Sequence, residues 1–140
     1  MASPSHGSEA PDLGAVERGL RGWSWATGGW AALHALAGMF VVASGGLSAA
    51  APSVALRLVV LALVGAWATT AIASWQFRRS FRASVGMIAA VASMIAGVMM
   101  LTAAVGFASL EGSVDGIVHL VAGIGLARAV RQARPLLLFG

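Results

Sequence analysis

Four apolar runs dominate this sequence and decide which folds are open to it. They are Trp23–Ser44, Ser53–Trp75, Val85–Phe107 and Val114–Arg131. The first three have the roughly 20 residues that a helix needs to cross about 30 Å of hydrocarbon at about 1.5 Å per residue. The fourth has only about a dozen uncharged residues between Asp115 and Arg128. It crosses a bilayer only if Arg128 extends to the headgroups.

The composition indicates that the apolar runs face lipid rather than a soluble core. Hydrophobic residues make up 59% of the 140 residues and charged residues 10%, whereas soluble domains are about half apolar and about a quarter charged. A soluble chain of this length could not bury so much apolar surface. The chain has no cysteine, which excludes disulfides, thiolate metal sites and cysteine nucleophiles.

The arginines predict the orientation of the spans. Eight of the nine fall before the first run, between the second and third, or after the fourth: Arg18, Arg21, Arg78, Arg79, Arg82, Arg128, Arg131 and Arg134. The loops GGLSAAAP and ASLEGS contain no Arg or Lys. By the positive-inside rule, the arginine-rich side is cytoplasmic. Because topology explains the basic residues, the net charge of +4 does not indicate a nucleic-acid partner.

These features predict an all-α polytopic membrane protein, an up-down bundle of four transmembrane helices with cytoplasmic N and C termini. The spans, about 23–44, 53–75, 85–107 and 114–131, form a transmembrane domain over 23–131. Residues 1–22 and 132–140 are predicted cytoplasmic tails. The first dozen residues are expected to be disordered. The following stretch, Asp12–Arg21, is either a short amphipathic surface helix or part of a solvated tail.

Small residues recur at four-residue spacing in the third and fourth spans and predict close helix packing. They are Gly86, Ala90, Ser93 and Gly97 in the third span, and Gly112, Gly116, Gly123 and Ala127 in the fourth.

Ionisable residues inside the spans are few, and each is a candidate functional group because it is costly there. They are His34, Arg57, Asp115 and His119. Asp115 and His119 are four residues apart and share a helix face, and Arg57 is expected at a similar depth. We therefore expect an intramembrane polar cluster of Arg57, Asp115 and His119. It is either an ion pair that docks the second span on the fourth, or a site for a small ligand or for protons.

The two histidines share the pattern H-x-x-A-G, at His34 and His119. A glycine four residues after a histidine leaves a flat surface beside the imidazole, so two such helices suggest a b-type haem with two axial histidines. Counted from the expected span ends, however, His34 and His119 lie at different depths, which argues against one haem. The alternative is that each histidine bonds a neighbouring helix, with no cofactor and no metal.

The segment Asp115–Ala127, DGIVHLVAGIGLA, resembles the last helix of a family of small bacterial four-helix membrane proteins of unknown function. The family's last span carries an Asp, a His and a Gly at similar spacing. Its other His-bearing helix is the second, whereas here it is the first, at His34. The resemblance covers about a tenth of the chain and implies a multi-pass protein of the bacterial inner membrane.

No nucleophile–base spacing, phosphate loop or metal motif is present, so we do not expect an enzyme. The first functional hypothesis is a structural or accessory subunit, whose partners are the lipid bilayer and either a larger membrane complex or further copies of itself. The second is a small oligomeric transporter or channel that uses Asp115, His119 and Arg57. The third is a haem- or quinone-binding membrane anchor that uses His34 and His119.

Overall fold

The computed structural model describes residues 12–107 and 109–137, which form helices and contain no β-strand. The helices are α1 (Leu13–Ala43), α2 (Leu47–Ala50), α3 (Val54–Ser80), α4 (Ala83–Phe107) and α5 (Leu110–Ala133), and a 3-10 helix (Arg134–Leu136) follows α5. Helices α1, α3, α4 and α5 are long and apolar enough to cross a membrane. The predicted all-helical class with four long apolar helices is therefore confirmed.

Side-chain caps define the first residues of three long helices. The side chains of Asp12, Ser53 and Ser109 accept hydrogen bonds from backbone N–H groups of the first turns of α1, α3 and α5, which otherwise lack partners. Helix α1 accordingly begins at Leu13, ten residues before the expected first span. Residues 13–22, expected as a tail or a separate surface helix, are the first turns of α1. Most of the expected disordered segment lies outside the described residues.

The four long helices form a closed antiparallel bundle. Gly28 and Gly38 of α1 lie against Ser74 and Val64 of α3, so residue numbers rise along one helix as they fall along the other. The bundle has two different ends. The basic end holds the start of α1, the turn between α3 and α4, the end of α5 and eight of the nine arginines. The distal end holds α2 and Ser109.

The small residues of α4 and α5 lie where these helices approach most closely. A Cβ atom built on Gly97 would lie 2.8 Å from the carbonyl oxygen of Gly116, and one on Gly123 would lie 2.8 Å from that of Ala90. Gly86 instead faces large side chains, those of Phe77 and Val130. Glycine at these points allows backbone-to-backbone contact that any side chain would prevent.

The bundle has small residues inside and large apolar residues outside. More than half of its buried apolar residues are alanines. Leu33, Phe40 and Val105, in contrast, are 63%, 73% and 82% exposed. Contiguous apolar exteriors of this kind mark surfaces that contact lipid or other apolar partners.

We expect Gly123→Ala to destabilise the bundle, by about 1–3 kcal/mol, because overpacking forces backbone shifts. The added methyl group would lie 2.8 Å from both Ala90 O and Met94 Cγ. Gly65→Ala is the matched control, because nothing lies within 4 Å of a Cβ there. It should be neutral or stabilising by up to about 1 kcal/mol, since alanine favours helix. Unfolding in mixed detergent micelles, followed by circular dichroism, measures both changes. Equal stability of the two variants would contradict this account of α4–α5 packing.

Candidate functional site

All four long helices contribute to one polar cluster inside the bundle. It consists of His34 from α1, Trp67 from α3, Ser93 from α4, and Asp115 and His119 from α5. His34 lies nine residues before the last residue of α1, and His119 lies nine residues after the first residue of α5. At about 1.5 Å per residue, both are therefore about 14 Å from the distal end of their helices.

The contact between His34 and Asp115 joins α1 to α5. His34 Nδ1 lies 3.0 Å from the backbone carbonyl oxygen of Trp30, and because that oxygen only accepts, Nδ1 carries the hydrogen of this bond. His34 Nε2 lies 3.4 Å from Asp115 Oδ2. A neutral imidazole with its hydrogen on Nδ1 and an ionised carboxylate would both offer only acceptors here. The contact is a hydrogen bond only when the pair holds one further proton.

His119 is tied to α4 through Ser93. The Ser93 hydroxyl donates to the backbone carbonyl of His119 at 2.9 Å, and its oxygen lies 3.3 Å from His119 Nδ1. Since the hydroxyl hydrogen is used in the first bond, Nδ1 is the donor in the second. His119 Nε2 is then the acceptor nitrogen of the neutral ring. Among the described residues, this buried nitrogen has no hydrogen-bond partner.

Aromatic rings surround the two histidines. The His34 centroid lies 5.4 Å from that of His119, 5.3 Å from that of Trp30 and 4.9 Å from that of Trp67. The planes of both indole rings are tilted against that of the imidazole, by 52° for Trp30 and 45° for Trp67. Trp67 also stacks beside His119 at 6.3 Å, and its Nε1 donor is buried without a partner in the described part of the chain.

The ionisable residues of the cluster differ in how far their side chains are exposed. The side chains of Asp115 and His34 are 30% and 20% exposed, whereas His119 is fully buried. A surface cavity of about 350 Å³ is lined by Leu110, Glu111 and Val114 and reaches Asp115. Glu111, Asp115 and His119 are each one turn apart on α5, so acidic and basic groups lead inward from the distal end.

Arg57 lies apart from this cluster, which corrects the expected grouping with Asp115 and His119. Its Nε donates to the carbonyl of Ala51 at 2.9 Å, and the ion pairs among residues 12–107 and 109–137 do not join Arg57 to Asp115. The arrangement of the helices explains the difference, because α3, which carries Arg57, packs against α1 and α4 and lies across the bundle from α5. Arg57 is also far from His34 along the bundle, because Val64 faces Gly38, with Arg57 seven residues further toward the distal end and His34 four residues further inward. That separation is about 17 Å at about 1.5 Å per residue.

The expected difference in depth between His34 and His119 is wrong, because their rings contact each other. The expected depths of the two histidines depend on where their spans begin, and α1 begins ten residues earlier than expected. The reason to reject one shared haem therefore changes. The rings meet edge to face at 68°, so they are not placed to ligate a porphyrin from opposite sides. The described residues also contain no group of three metal-ligating side chains.

The sequence pattern does not predict two members of the cluster as polar site residues. It predicts Ser93 only as a small packing residue, although its hydroxyl makes two contacts with His119. Trp67 lies in the middle of α3, away from the span ends where tryptophan is commonest. This central position in the sequence of α3 is the signal that could identify Trp67 as a site residue, because an indole N–H inside a bundle usually requires a hydrogen-bond partner.

Comparison of the chain with family models, with curated proteins and with solved structures finds no match.

The His34–Asp115 contact predicts a difference between two substitutions of the same residue. Asp115→Ala should lower the free energy of unfolding by about 1 kcal/mol, because His34 Nε2 loses its partner. Asp115→Asn should retain most of the stability, since the amide N–H donates to Nε2 without an additional proton. Glu111→Ala, at an exposed position one turn away, is the control and should stay within about 0.5 kcal/mol. Chemical unfolding in detergent measures all three, and an asparagine variant as unstable as the alanine variant would contradict the bond.

Proposed function

We propose that this chain is a multi-pass protein of the bacterial inner membrane, with α1, α3, α4 and α5 crossing the bilayer and both ends in the cytoplasm. The apolar exterior and the concentration of arginine at the basic end support this proposal. The guanidinium carbon of Arg78 lies 3.7 Å from the ring centroid of Trp25, and that of Arg79 lies 4.2 Å from that of Trp75. Such arginine–tryptophan layers are favoured at membrane interfaces.

The orientation has a direct test, because the chain has no native cysteine. Ser48→Cys in α2 should react with a membrane-impermeant maleimide added to intact spheroplasts. Ser80→Cys, at the end of α3, should react only after the membrane is permeabilised, since the arginine-rich end is inside. The opposite labelling pattern would reverse the proposed topology.

Within this membrane protein, the geometry best supports a function in proton transfer. The observation that carries the proposal is the contact of His34 Nε2 with Asp115 Oδ2 at 3.4 Å, which is bonded only when the pair holds one extra proton. Ionisable groups inside a membrane protein are costly and mark ion or proton pathways. Histidine is also the side chain suited to gaining and losing a proton near neutral pH.

The proposed transfer uses three side chains. A proton arriving from the distal end binds the Asp115 carboxylate and moves to His34 Nε2, which forms an imidazolium while Nδ1 keeps its bond to Trp30. His119 Nε2 is the second acceptor, on a ring that contacts His34. The bond from His119 Nδ1 to Ser93 keeps Nε2 free to accept. The protein therefore holds one proton at the partly exposed pair and has a deeper acceptor beside it.

This arrangement favours a small proton transporter or channel over the other hypotheses. A purely structural subunit would not need a proton-dependent contact inside the bundle, and no described contact favours that hypothesis, which stays a prediction. Haem binding through both histidines does not fit rings in direct edge-to-face contact.

Proton binding is tested by nuclear magnetic resonance of the isotope-labelled protein in lipid nanodiscs. The imidazole signals of His34 and His119 are assigned with His34→Gln and His119→Gln and followed from about pH 4 to about pH 9. We expect the His34 signals to titrate and the titration to change in Asp115→Asn, because the carboxylate shares the proton. Glu17→Gln, which neutralises an exposed carboxylate near the basic end of the bundle, should leave the titration unchanged. A His34 ring that does not respond to pH, or responds identically in Asp115→Asn, would overturn the proposal.

A further inference from the structure

A line of polar side chains continues from the histidines toward the basic end of the bundle. We call it the polar seam; it consists of Ser24, Thr27, Trp67, Thr70, Ser74, Arg78 and His119. Its four α3 members follow one another at intervals of three or four residues, so they share one helix face. Helix α1 meets that face, because the Ser24 hydroxyl donates to the backbone carbonyl of Ser74 at 2.9 Å.

The polar residues in the bundle interior are concentrated along this line. Six polar side chains of the described residues are fully buried, namely Ser24, Thr27, Thr70, Ser74, Ser93 and His119. Five of them belong to the seam. The sixth, Ser93, forms hydrogen bonds with a seam residue, His119. The rest of the interior is alanine and other apolar residues. A bundle that needed only packing would not require its buried polar groups to be aligned.

The unpartnered atoms are the second observation, and they add Trp67 and Arg78 to the residues that burial alone selects. Four buried side-chain nitrogen or oxygen atoms in the described residues have no hydrogen-bond partner: Trp67 Nε1, Ser74 Oγ, Arg78 Nη1 and His119 Nε2. All four belong to the seam, and from Trp67 to Arg78 they extend over eleven residues of α3, or about 17 Å. Buried polar atoms are nearly always paired with protein or with ordered water. Their alignment indicates that one line of small polar ligands bonds all of them.

We propose that the seam holds a line of water molecules that conducts protons between the His34–Asp115 pair and the basic end. This inference rests on the proposed proton-transfer function and extends it from proton binding to passage through the bundle. His119 Nε2 accepts a proton from the pair and releases it to the first water. Each water then accepts one proton and gives up another, so one proton enters, one leaves, and no electron moves. Trp67 donates to this line, and the Ser74 hydroxyl both donates and accepts.

The dimensions of the seam favour protons over other cations. A Cβ atom on Gly28 would lie 2.6 Å from the Cβ of Ser74, so the backbone of α1 closes directly on the α3 face. A hydrated metal ion is wider than a single file of water molecules and would have to separate these helices further, whereas a proton moves along the file by exchange of hydrogen bonds.

The test uses the full-length protein in liposomes that contain a pH-sensitive dye, with a potassium gradient and valinomycin to set the membrane potential. We expect the wild type to carry protons but not sodium ions. Trp67→Phe and Ser74→Ala each remove one unpartnered polar group and keep most of the side-chain shape. Each should lower the proton flux by about tenfold or more. Trp75→Phe and Ser80→Ala, the matched substitutions on the same helix outside the seam, should leave the flux unchanged. Circular dichroism and the histidine titration verify that every variant is folded and binds protons.

The outcomes separate this inference from the function on which it rests. Flux that is lost in both seam variants and kept in both controls supports the water line. If the His34–Asp115 pair titrates but wild-type vesicles hold their pH gradient, the seam proposal fails and proton binding stands. If Asp115→Asn abolishes the flux and the seam variants do not, protons leave by another route and the seam proposal again fails. If the pair does not titrate, both proposals fail.

Water-edited solid-state nuclear magnetic resonance gives a second readout, which detects magnetisation transferred from water to the Trp67 indole N–H. A Trp67 indole signal that receives no magnetisation from water would also overturn the proposed water line.

Discussion

The helices of this bundle approach most closely where one of the two facing residues has almost no side chain. Gly28 lies against Ser74, Gly97 against Gly116, and Gly123 against the backbone of Ala90. Lipid supplies no hydrophobic drive between helices, so in the proposed membrane setting such contacts carry much of the association energy. They also make the interior narrow. Because it is narrow, rings from α1, α3 and α5 meet at centroid distances of 4.9–6.3 Å instead of being separated by apolar side chains.

The close approach of the helices buries polar side chains at a cost in free energy. An unpartnered polar atom in a buried position costs about 1–3 kcal/mol, and a bundle of this size has few large buried side chains to offset it. The interior nevertheless contains a histidine, four serine or threonine side chains and an indole N–H along one line. Buried polar groups that are energetically costly and lie on one line are better explained by a bound ligand than by helix packing alone. Protons and water fit because neither needs a wide cavity.

The two ends of the bundle, and so of the proposed proton path, differ in their charged groups. At the distal end, carboxylates at Glu111 and Asp115 lead to the histidine pair. At the basic end, the guanidinium of Arg78 lies over Trp25, among most of the chain's arginines. Negative groups therefore attract a proton on one side, and fixed positive charge surrounds the other.

The helical class, the four long apolar helices and the small-residue faces can all be predicted from the sequence, because span length, hydropathy and spacing are properties of one segment at a time. The sequence also identifies His34, Asp115 and His119 as unusual, since ionisable residues are rare in such segments. Which of these residues meet depends on how the helices are arranged in the bundle. Asp115 pairs with His34 and not with Arg57, because α5 packs against α1 and lies across the bundle from α3. The alignment of the unpartnered atoms depends in the same way on contacts between segments, which no single segment encodes.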